Sequence, residues 1–401
     1  MMSGRRKRIA GKSVAQSRVA QNRVAIVGAG FSGAVIARVL ADAGLASLVM
    51  DERDHVAGNC HTARDSRTGI MVHRYGPHIF HTDKPHVWAY VTRFADMAAF
   101  ILRVKSTVRG QVYALPINLH TINQFFGRAM NPAQARAFVA AQARADIANP
   151  ASFEEHALRH LGAPLYEAFL RGYTRKQWGI EPSMLPAAVL KRLPLRFDYN
   201  DNYFDHPWQG IPRDGYSALV ERILDHPLIE LRLKCRFEEV RDESFTHTFY
   251  SGGIDRFYGY DLGRLPYRTL DFEQSYHPGD YQGTAVMNHP DEDIAFTRVT
   301  EHRHFAPWET PPSTETVVFH EFSRACAPND TPFYPVNLLG DARLLGSYRQ
   351  RAAQERAVTF VGRLGQYQYL DMDMTIDQAL MTARAYLQTQ GAAVRPSKGP
   401  G

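Results

Sequence analysis

The chain has 401 residues, 44% of them hydrophobic, 11% aromatic and 22% charged. That composition excludes a disordered chain, a collagen-like repeat and a disulfide scaffold. Its 47 Lys and Arg exceed its 41 Asp and Glu, yet residues 1–23 hold seven of the bases and no acid, leaving 40 bases against 41 acids. Nucleic-acid binding by the folded part is therefore not expected. No apolar run approaches the ~20 residues of a membrane span, so a soluble protein with no membrane partner is expected.

The basic segment 1–23 lacks the apolar stretch of a secretory signal. Its Arg- and Ser-rich, acid-free character suits a transit peptide loosely; a disordered extension, or a start codon set too early, is the plainer reading. The length suggests two or three domains. Cys60, Cys235 and Cys326 are scattered and odd in number, which fits a reducing cytoplasm better than a disulfide framework. His78 and His81, and His302 and His304, are closely spaced, but no carboxylate or Cys partner completes a ligand set, so no metal is expected.

Along the chain, Val24–Val27 reads as a buried strand, followed by Gly28-Ala-Gly30-Phe31-Ser32-Gly33 and a helix that stops at Gly44. Leu48–Met50 is a second buried strand, ending in Asp51 and Glu52. Together they make a βαβ unit and hence a parallel sheet. Residues 84–97 read as a helix, and 104–115 as a hairpin around Arg109-Gly110. From 118 to 191 the pattern is helical, with some four or five helices. Asn131-Pro132 opens one of them, Asn149-Pro150 closes it, and Ser152 with Glu155 forms a capping box for the next, which ends near Gly162. Residues 229–240 return to strand and 245–335 are strand-rich. A helix follows over 337–356, then a strand at Val358–Val361, and Thr375 with Gln378 caps a closing helix. The fold class predicted is α/β: a discontinuous Rossmann-like domain with a helix-bundle insertion and a twisted antiparallel sheet domain. The nucleotide domain is expected from 24–100, 205–260 and 336–390, the bundle from 117–200, and the sheet domain from 101–116 and 261–335.

The glycine motif has its full context: strand before, helix after, acid at the end of the next strand. Its first glycine makes the tight turn, its second admits a pyrophosphate, and its third allows close helix–strand packing, with Asp51 placed for the adenosine ribose. These residues leave NAD and FAD both open. The return of the chain to a second glycine-rich turn, Val361-Gly362-Arg363-Leu364-Gly365, resembles flavoproteins of the glutathione-reductase and amine-oxidase type. No nucleophile elbow or carboxylate dyad stands out, so in an enzyme the cofactor would carry the hard step.

Several longer segments go further. VAIVGAGFSGAV, YGPHIFHT, GQVYALPINLHTINQF, GYTRKQW, LKRLPLRFDYNDNYF, IPRDGYSALV and FVGRLGQYQYLDMDMTIDQAL together resemble the bacterial UDP-galactopyranose mutase family, from about Val24 to Gln388. The resemblance implies an FAD enzyme interconverting UDP-galactopyranose and UDP-galactofuranose with no net redox change, supplying galactofuranose for cell-surface glycans. The flavin must be reduced, by NAD(P)H or another donor. Its N5 forms a covalent adduct with the anomeric carbon, which opens and recloses as the other ring size. The resemblance also implies a homo-oligomer, a dimer or larger.

By the same resemblance Arg192 and Arg298 hold the diphosphate and, with His78, are the catalytic candidates. Tyr203, Tyr334 and Tyr369 reach the phosphates, and Phe169, Tyr173, Thr174, Trp178 and Asn288 form the uridine pocket. Gly28, Gly30, Phe31, Ser32, Gly33, Asp51, Glu52, Gly58, Asn59, His78, His81, Arg363, Tyr369, Asp371 and Met372 bind the cofactor. The segment from Trp178 to Asn202 is a candidate lid. Ala57 departs from the usual Gly-Gly before Asn59, and Leu102 and Leu170 depart from the family residues at their positions; these two leucines are left out of the site. Two other readings compete: an amine-oxidase-like FAD oxidoreductase, and a colourless binding scaffold that has lost its flavin.

Overall fold

A computed structural model of the chain describes residues 23–187, 195–310, 312–336 and 342–391. Arg192 and nearly all of the basic segment 1–23 lie outside the described residues. The first strand, β1 (Arg23–Val27), leads through the glycine turn to α1 (Phe31–Asp42) and β2 (Ala46–Asp51). Short strands β3 (Thr62–Arg64), β4 (Met71–His73) and β5 (Phe80–Thr82) precede α2 (Pro85–Thr92), β6 (Met97–Ala99), β7 (Val104–Val108) and β8 (Gln111–Leu115). Helices α3 (Leu119–Phe126), α4 (Pro132–Gln142), α5 (Phe153–Leu161) and α6 (Gly172–Trp178) follow, the last entered through a π-helical turn at Tyr166–Arg171. Then come β9 (Trp208–Pro212), α7 (Gly215–Leu224), β10 (Ile229–Leu233), β11 (Thr248–Tyr250), β12 (Tyr267–Pro278), β13 (Val286–Asn288), β14 (Arg298–Glu301), β15 (Glu315–Ala325) and β16 (Tyr334–Pro335). The chain closes with α8 (Ala342–Ala352), β17 (Val358–Phe360) and α9 (Met372–Thr389).

The parallel sheet runs in the order β10-β2-β1-β11-β17. Val24, Ala25 and Ile26 are all fully buried, as a central strand covered on both faces must be. Helices α1 and α9 pack together over it. The other large sheet runs β16-β12-β15-β14-β13-β7-β8. Its spine is the antiparallel pairing of β12 with β15, from Arg268 opposite Ala325 to Pro278 opposite Glu315. One internal pair, β13 with β7, is parallel, because β7 comes from far upstream and not from a hairpin. The β7–β8 turn has Arg109 at φ +49° and Gly110 at +76°, the two left-handed positions a tight hairpin needs.

Local chemistry explains most boundaries. Asn131 with Gln134, and Ser152 with Glu155, form reciprocal capping boxes at the starts of α4 and α5. Three expectations are corrected. The helix expected over 84–97 ends at Thr92, since Met97–Ala99 is recruited as an edge strand on β9. α4 stops at Gln142, well before Asn149. The closing helix starts four residues earlier than Thr375 implied, with Asp371 at its N-cap position and Thr375 already inside the first turn.

Candidate functional site

A cavity of about 740 Å3 opens at the carboxyl ends of the parallel strands and runs to the face of the seven-stranded sheet. Val27, Asp51, Tyr250 and Gly362 mark the strand ends on its wall, with Asn288, Arg298 and Glu321 on the far side. Ligands of open parallel sheets bind in this crevice.

The glycine turn is built for close approach. Gly28 sits at φ +101°, and a Cβ there would lie 2.1 Å from the Ser251 hydroxyl oxygen. A Cβ on Gly33 would meet the Gly28 carbonyl at 2.0 Å; Gly33 therefore shapes the turn and is not on the cavity wall, which corrects its place among the cofactor contacts. A Cβ on Gly30 would find nothing nearer than Gly58, at 3.9 Å. α1 begins there with no side-chain cap and no acid in its first turn, so its free N–H groups and positive dipole end are left for an anion.

Asp51 accepts from Ala29 N–H at 2.9 Å and from Arg53 N–H at 3.0 Å. Each carboxylate oxygen keeps a lone pair for a ribose hydroxyl. Arg53 holds Asn59 at 2.8 Å and lies over the Tyr75 ring, while its buried Nη1 has no hydrogen-bond partner among the described residues. Glu52 also lines the cavity but is clamped by both Nη atoms of Arg256 at 2.9–3.0 Å. The glycine cradle, the uncapped helix start and the orphaned Arg53 nitrogen fit a dinucleotide.

Further in, His78 Nδ1 lies 2.8 Å from the Gly76 carbonyl, so Nδ1 carries the proton and Nε2 is an acceptor. Burial holds His78 down at about 4; it is neutral at physiological pH. Its backbone N–H donates to His73 Nδ1 at 3.0 Å. His81 stacks on Phe204 at 3.6 Å and pairs with His206 at 2.7 Å. Arg363 donates to the carbonyls of Phe333 and Leu370 and lies 4.8 Å from the Tyr369 ring centre. Tyr369 in turn stacks on Tyr334.

Arg298 is the charged centre of the far wall. Its Nη2 donates to the Tyr173 hydroxyl at 2.7 Å and its Nε lies 3.3 Å from Glu321 Oε1. Register explains the grouping: Arg298 stands opposite Asn288 on one side and Glu321 on the other. Glu321 is only 2% exposed; burial pushes its carboxyl up while Arg298 opposes the shift. Burial likewise pushes the Tyr203 phenol up to about 12 and raises Tyr334 further, so both hydroxyls stay protonated and can donate.

Of the residues read from the sequence, Gly28, Gly30, Phe31, Ser32, Asp51, Glu52, Gly58, Asn59, His78, His81, Tyr203, Asn288, Arg298, Tyr334, Arg363, Tyr369, Asp371 and Met372 line one cavity. Tyr173 and Trp178 are not on its wall. They reach it through neighbours, Tyr173 by its bond to Arg298 and Trp178 with its ring 6.3 Å from Tyr334. Phe169 and Thr174 are each 4% exposed and away from the wall. Phe169 is core: its ring packs edge-on against Tyr113 and Phe125, where α6's approach meets the β7–β8 hairpin.

The wall also includes Arg53, Tyr75, Leu102, Ser251 and Glu321, none of which the sequence reading placed in the site. Ser251-Gly252-Gly253 after a short apolar strand was the available signal for one of them. Leu102 belongs to the wall after all, and Leu170 does not. Away from the cavity, Asp280, Glu301 and His304 converge with candidate ligand atoms all within 4.8 Å. The loop after β12 thus brings a carboxylate to His304 that sequence spacing did not show. Their polar atoms are engaged with one another and with the N–H groups of Tyr281, Gln282 and Gly283. Among the described residues no helix is long and apolar enough to cross a membrane.

A family model for UDP-galactopyranose mutase matches residues 168–369, and one for an NAD(P)-binding Rossmann-like domain matches 26–94. The chain is 53% identical over 366 residues to a probable UDP-galactopyranose mutase of Klebsiella pneumoniae, covering 91% of this chain and 95% of the relative. It is 48% identical over 372 residues to a dTDP-fucopyranose mutase of Escherichia coli, covering 91% and 98%. Among solved structures, a reduced UDP-galactopyranose mutase superposes with a TM-score of 0.71 at 16% identity, covering 92% of this chain and 96% of that one. A putrescine oxidase superposes at 0.54 and 12% identity, covering 92% and 99%; at these identities both likenesses speak for the fold. With half its length under one family model and a relative above 50% identity across nine-tenths of it, the chain belongs to the UDP-galactopyranose mutase family and is an isomerase.

Proposed function

We propose that this protein interconverts UDP-galactopyranose and UDP-galactofuranose with FAD as cofactor and no net redox change. The observation that carries the reading is the single cavity joining a dinucleotide cradle to an arginine anchored by Tyr173 and Glu321. A cradle alone suits many oxidoreductases. A guanidinium fixed on the opposite wall is what a substrate diphosphate requires.

Gly28, Gly30 and α1's first turn would hold the cofactor pyrophosphate, Asp51 its ribose, and Asp371, Met372 and Arg363 its ring system. Bound in reduced form, a flavin held there would supply nucleophilic chemistry toward the sugar's anomeric carbon. The protein's part is positional and electrostatic. Arg298 neutralises diphosphate charge before and after the glycosidic bond breaks, joined by Arg192 from outside the described residues. The hydroxyls of Tyr203, Tyr334 and Tyr369 donate to the same oxygens, Asn288 and Trp178 orient the base, and neutral His78 offers Nε2 as an acceptor beside the ring system. The protein's cytoplasmic location, a role in cell-surface glycan supply, assembly as a homo-oligomer and the domain division given above belong to the same proposal.

The second reading is a 6-deoxysugar substrate. The 48% identical relative is a dTDP-fucopyranose mutase, and Leu102, Val104 and Val286 give the cavity wall an apolar stretch that suits a sugar with one hydroxyl fewer. Purified protein incubated separately with UDP-galactofuranose and dTDP-fucofuranose, with products resolved by chromatography, decides between them. Conversion of the first supports the proposal, and conversion of the second alone replaces it. Oxygen uptake with amines, and neither conversion, would return the amine-oxidase reading.

A further inference from the structure

Lys176 does not line the cavity, yet its ammonium is engaged by four backbone carbonyls close behind it. Nζ lies 2.6 Å from the carbonyl oxygen of His289, 2.8 Å from those of Asp291 and Ile294, and 3.1 Å from that of Phe296. All four belong to the loop between β13 and β14. That loop starts after Asn288 and ends before Arg298, two of the three residues its strands put on the cavity wall. Lys176 sits on α6, which carries Tyr173 and Trp178.

The same helix touches the loop twice more. Arg175 pairs with Glu292 at 2.6 Å, and Gly172 packs so closely that a Cβ would fall 2.2 Å from the Pro290 carbonyl. The end of α6 is itself held from β12 and β15, where Arg268 and Ser323 donate to the Gln177 carbonyl at 3.1 and 2.6 Å. Among the described residues α6 and the loop both stand behind the cavity wall, α6 reaching it through the bond of Tyr173 to Arg298 and the loop through the Asn288 and Arg298 that flank it, and a single ammonium with three N–H donors joins the two. Bonds from a charged donor are stronger than neutral ones, and they outweigh the solvent-screened Arg175 pair beside them.

We propose that Lys176 is a positioning residue that sets the separation of α6 from the β13–β14 hairpin, and so the affinity of the pocket for the nucleotide half of the substrate. The inference rests on the functional reading above. Replacing Lys176 by Met keeps the bulk and removes every donor. KM is then expected to rise about tenfold or more, as for loss of binding shared by ground and transition states, with kcat within about twofold and flavin content unchanged. Lys176→Gln, which keeps two N–H donors, should fall between Met and wild type, and it carries the test if Lys176→Met does not fold. Lys176→Ala leaves four converging carbonyl oxygens, which ammonium ion can enter; added ammonium chloride should lower its KM severalfold and tetramethylammonium chloride should not.

An unchanged KM in Lys176→Met overturns the proposal. So does an equal rise in Met, Gln and Ala with no response to ammonium, because bulk and not hydrogen bonding would then set the pocket. A wild type that binds no UDP would unseat the functional reading instead. In that case hydrogen exchange of residues 289–296 decides this inference by itself: faster exchange in Lys176→Met sustains the pinning, and equal exchange refutes it.

Discussion

Replacing Arg298 by Ala removes a guanidinium that serves three partners: the Tyr173 hydroxyl at 2.7 Å, Glu321 at 3.3 Å, and the proposed substrate diphosphate. A phosphate held by two charge-assisted bonds at about 1.5–3 kcal/mol each loses about 3–6 kcal/mol. At about 1.4 kcal/mol per decade this is a fall of about 10^2 to 10^4 in kcat/KM. Glu321 would lose its counter-charge, but burial already raises its carboxyl, so it takes up a proton and the fold survives with reduced stability. Arg298→Lys restores the charge without the planar fork and is expected to recover only part of the loss. Flavin occupancy should not change in either variant, because the hydrogen-bond and ion-pair partners of Arg298 among the described residues, Tyr173 and Glu321, lie outside the glycine cradle. Steady-state turnover and the flavin-to-protein absorbance ratio are measured on the same preparations. Normal turnover in Arg298→Ala would refute the phosphate assignment, and parallel loss of flavin would show that the residue supports the cofactor.

Other perturbations separate the remaining roles. Asp51→Ala removes the acceptor of Ala29 N–H and the proposed ribose contact, so flavin retention should weaken about tenfold or more; undiminished occupancy after dialysis would dismiss the ribose role. His78 is held at about 4 by burial, below the ~6.5 of an unfolded histidine. Between those values the unfolded chain binds the proton and the folded one does not. Its contribution to stability is thus full above about 6.5 and is lost as pH falls toward 4. His78→Asn should make the urea midpoint fall less steeply between pH 7 and pH 5, and an identical slope would contradict the burial argument. Trp178 is one of four tryptophans, and its ring stands 6.3 Å from Tyr334. UDP should change the protein's fluorescence, and the change should vanish in Trp178→Phe; equal spectra with and without UDP would count against both the base contact and a lid in this region.

What could be read from the chain alone divides by range. The β1–α1–β2 unit was legible because strand, glycine turn and acid fall within some thirty residues, and each has a local physical signature. The capping boxes at Asn131 and Ser152 were legible for the same reason. Thr375 misled because its spacing to Gln378 imitates a cap, while the helix was started earlier by its packing on α1. Ser251 completes the Gly28 turn from just after a strand of three residues more than two hundred positions downstream; its Ser-Gly-Gly run marks a turn, but nothing local says that the turn meets Gly28. The Tyr173–Arg298–Glu321 grouping depends on the register of β13, β14 and β15 and on where α6 docks. Phe169 fits a base-stacking role as a residue type, but its surroundings, Tyr113 and Phe125, are long-range, and they place it in the core. Fold class was thus open to periodicity and motif. The charged wall could be approached only through family resemblance, and its supporting residues only through the structure.

In the proposed function a redox cofactor serves a reaction with no net redox change. Turnover of UDP-galactofuranose by the purified protein, compared with and without dithionite, tests it most directly. Conversion to UDP-galactopyranose in the reduced sample and none in the oxidised one is the predicted result. Equal conversion in both, or a yellow protein inert in both, would contradict it.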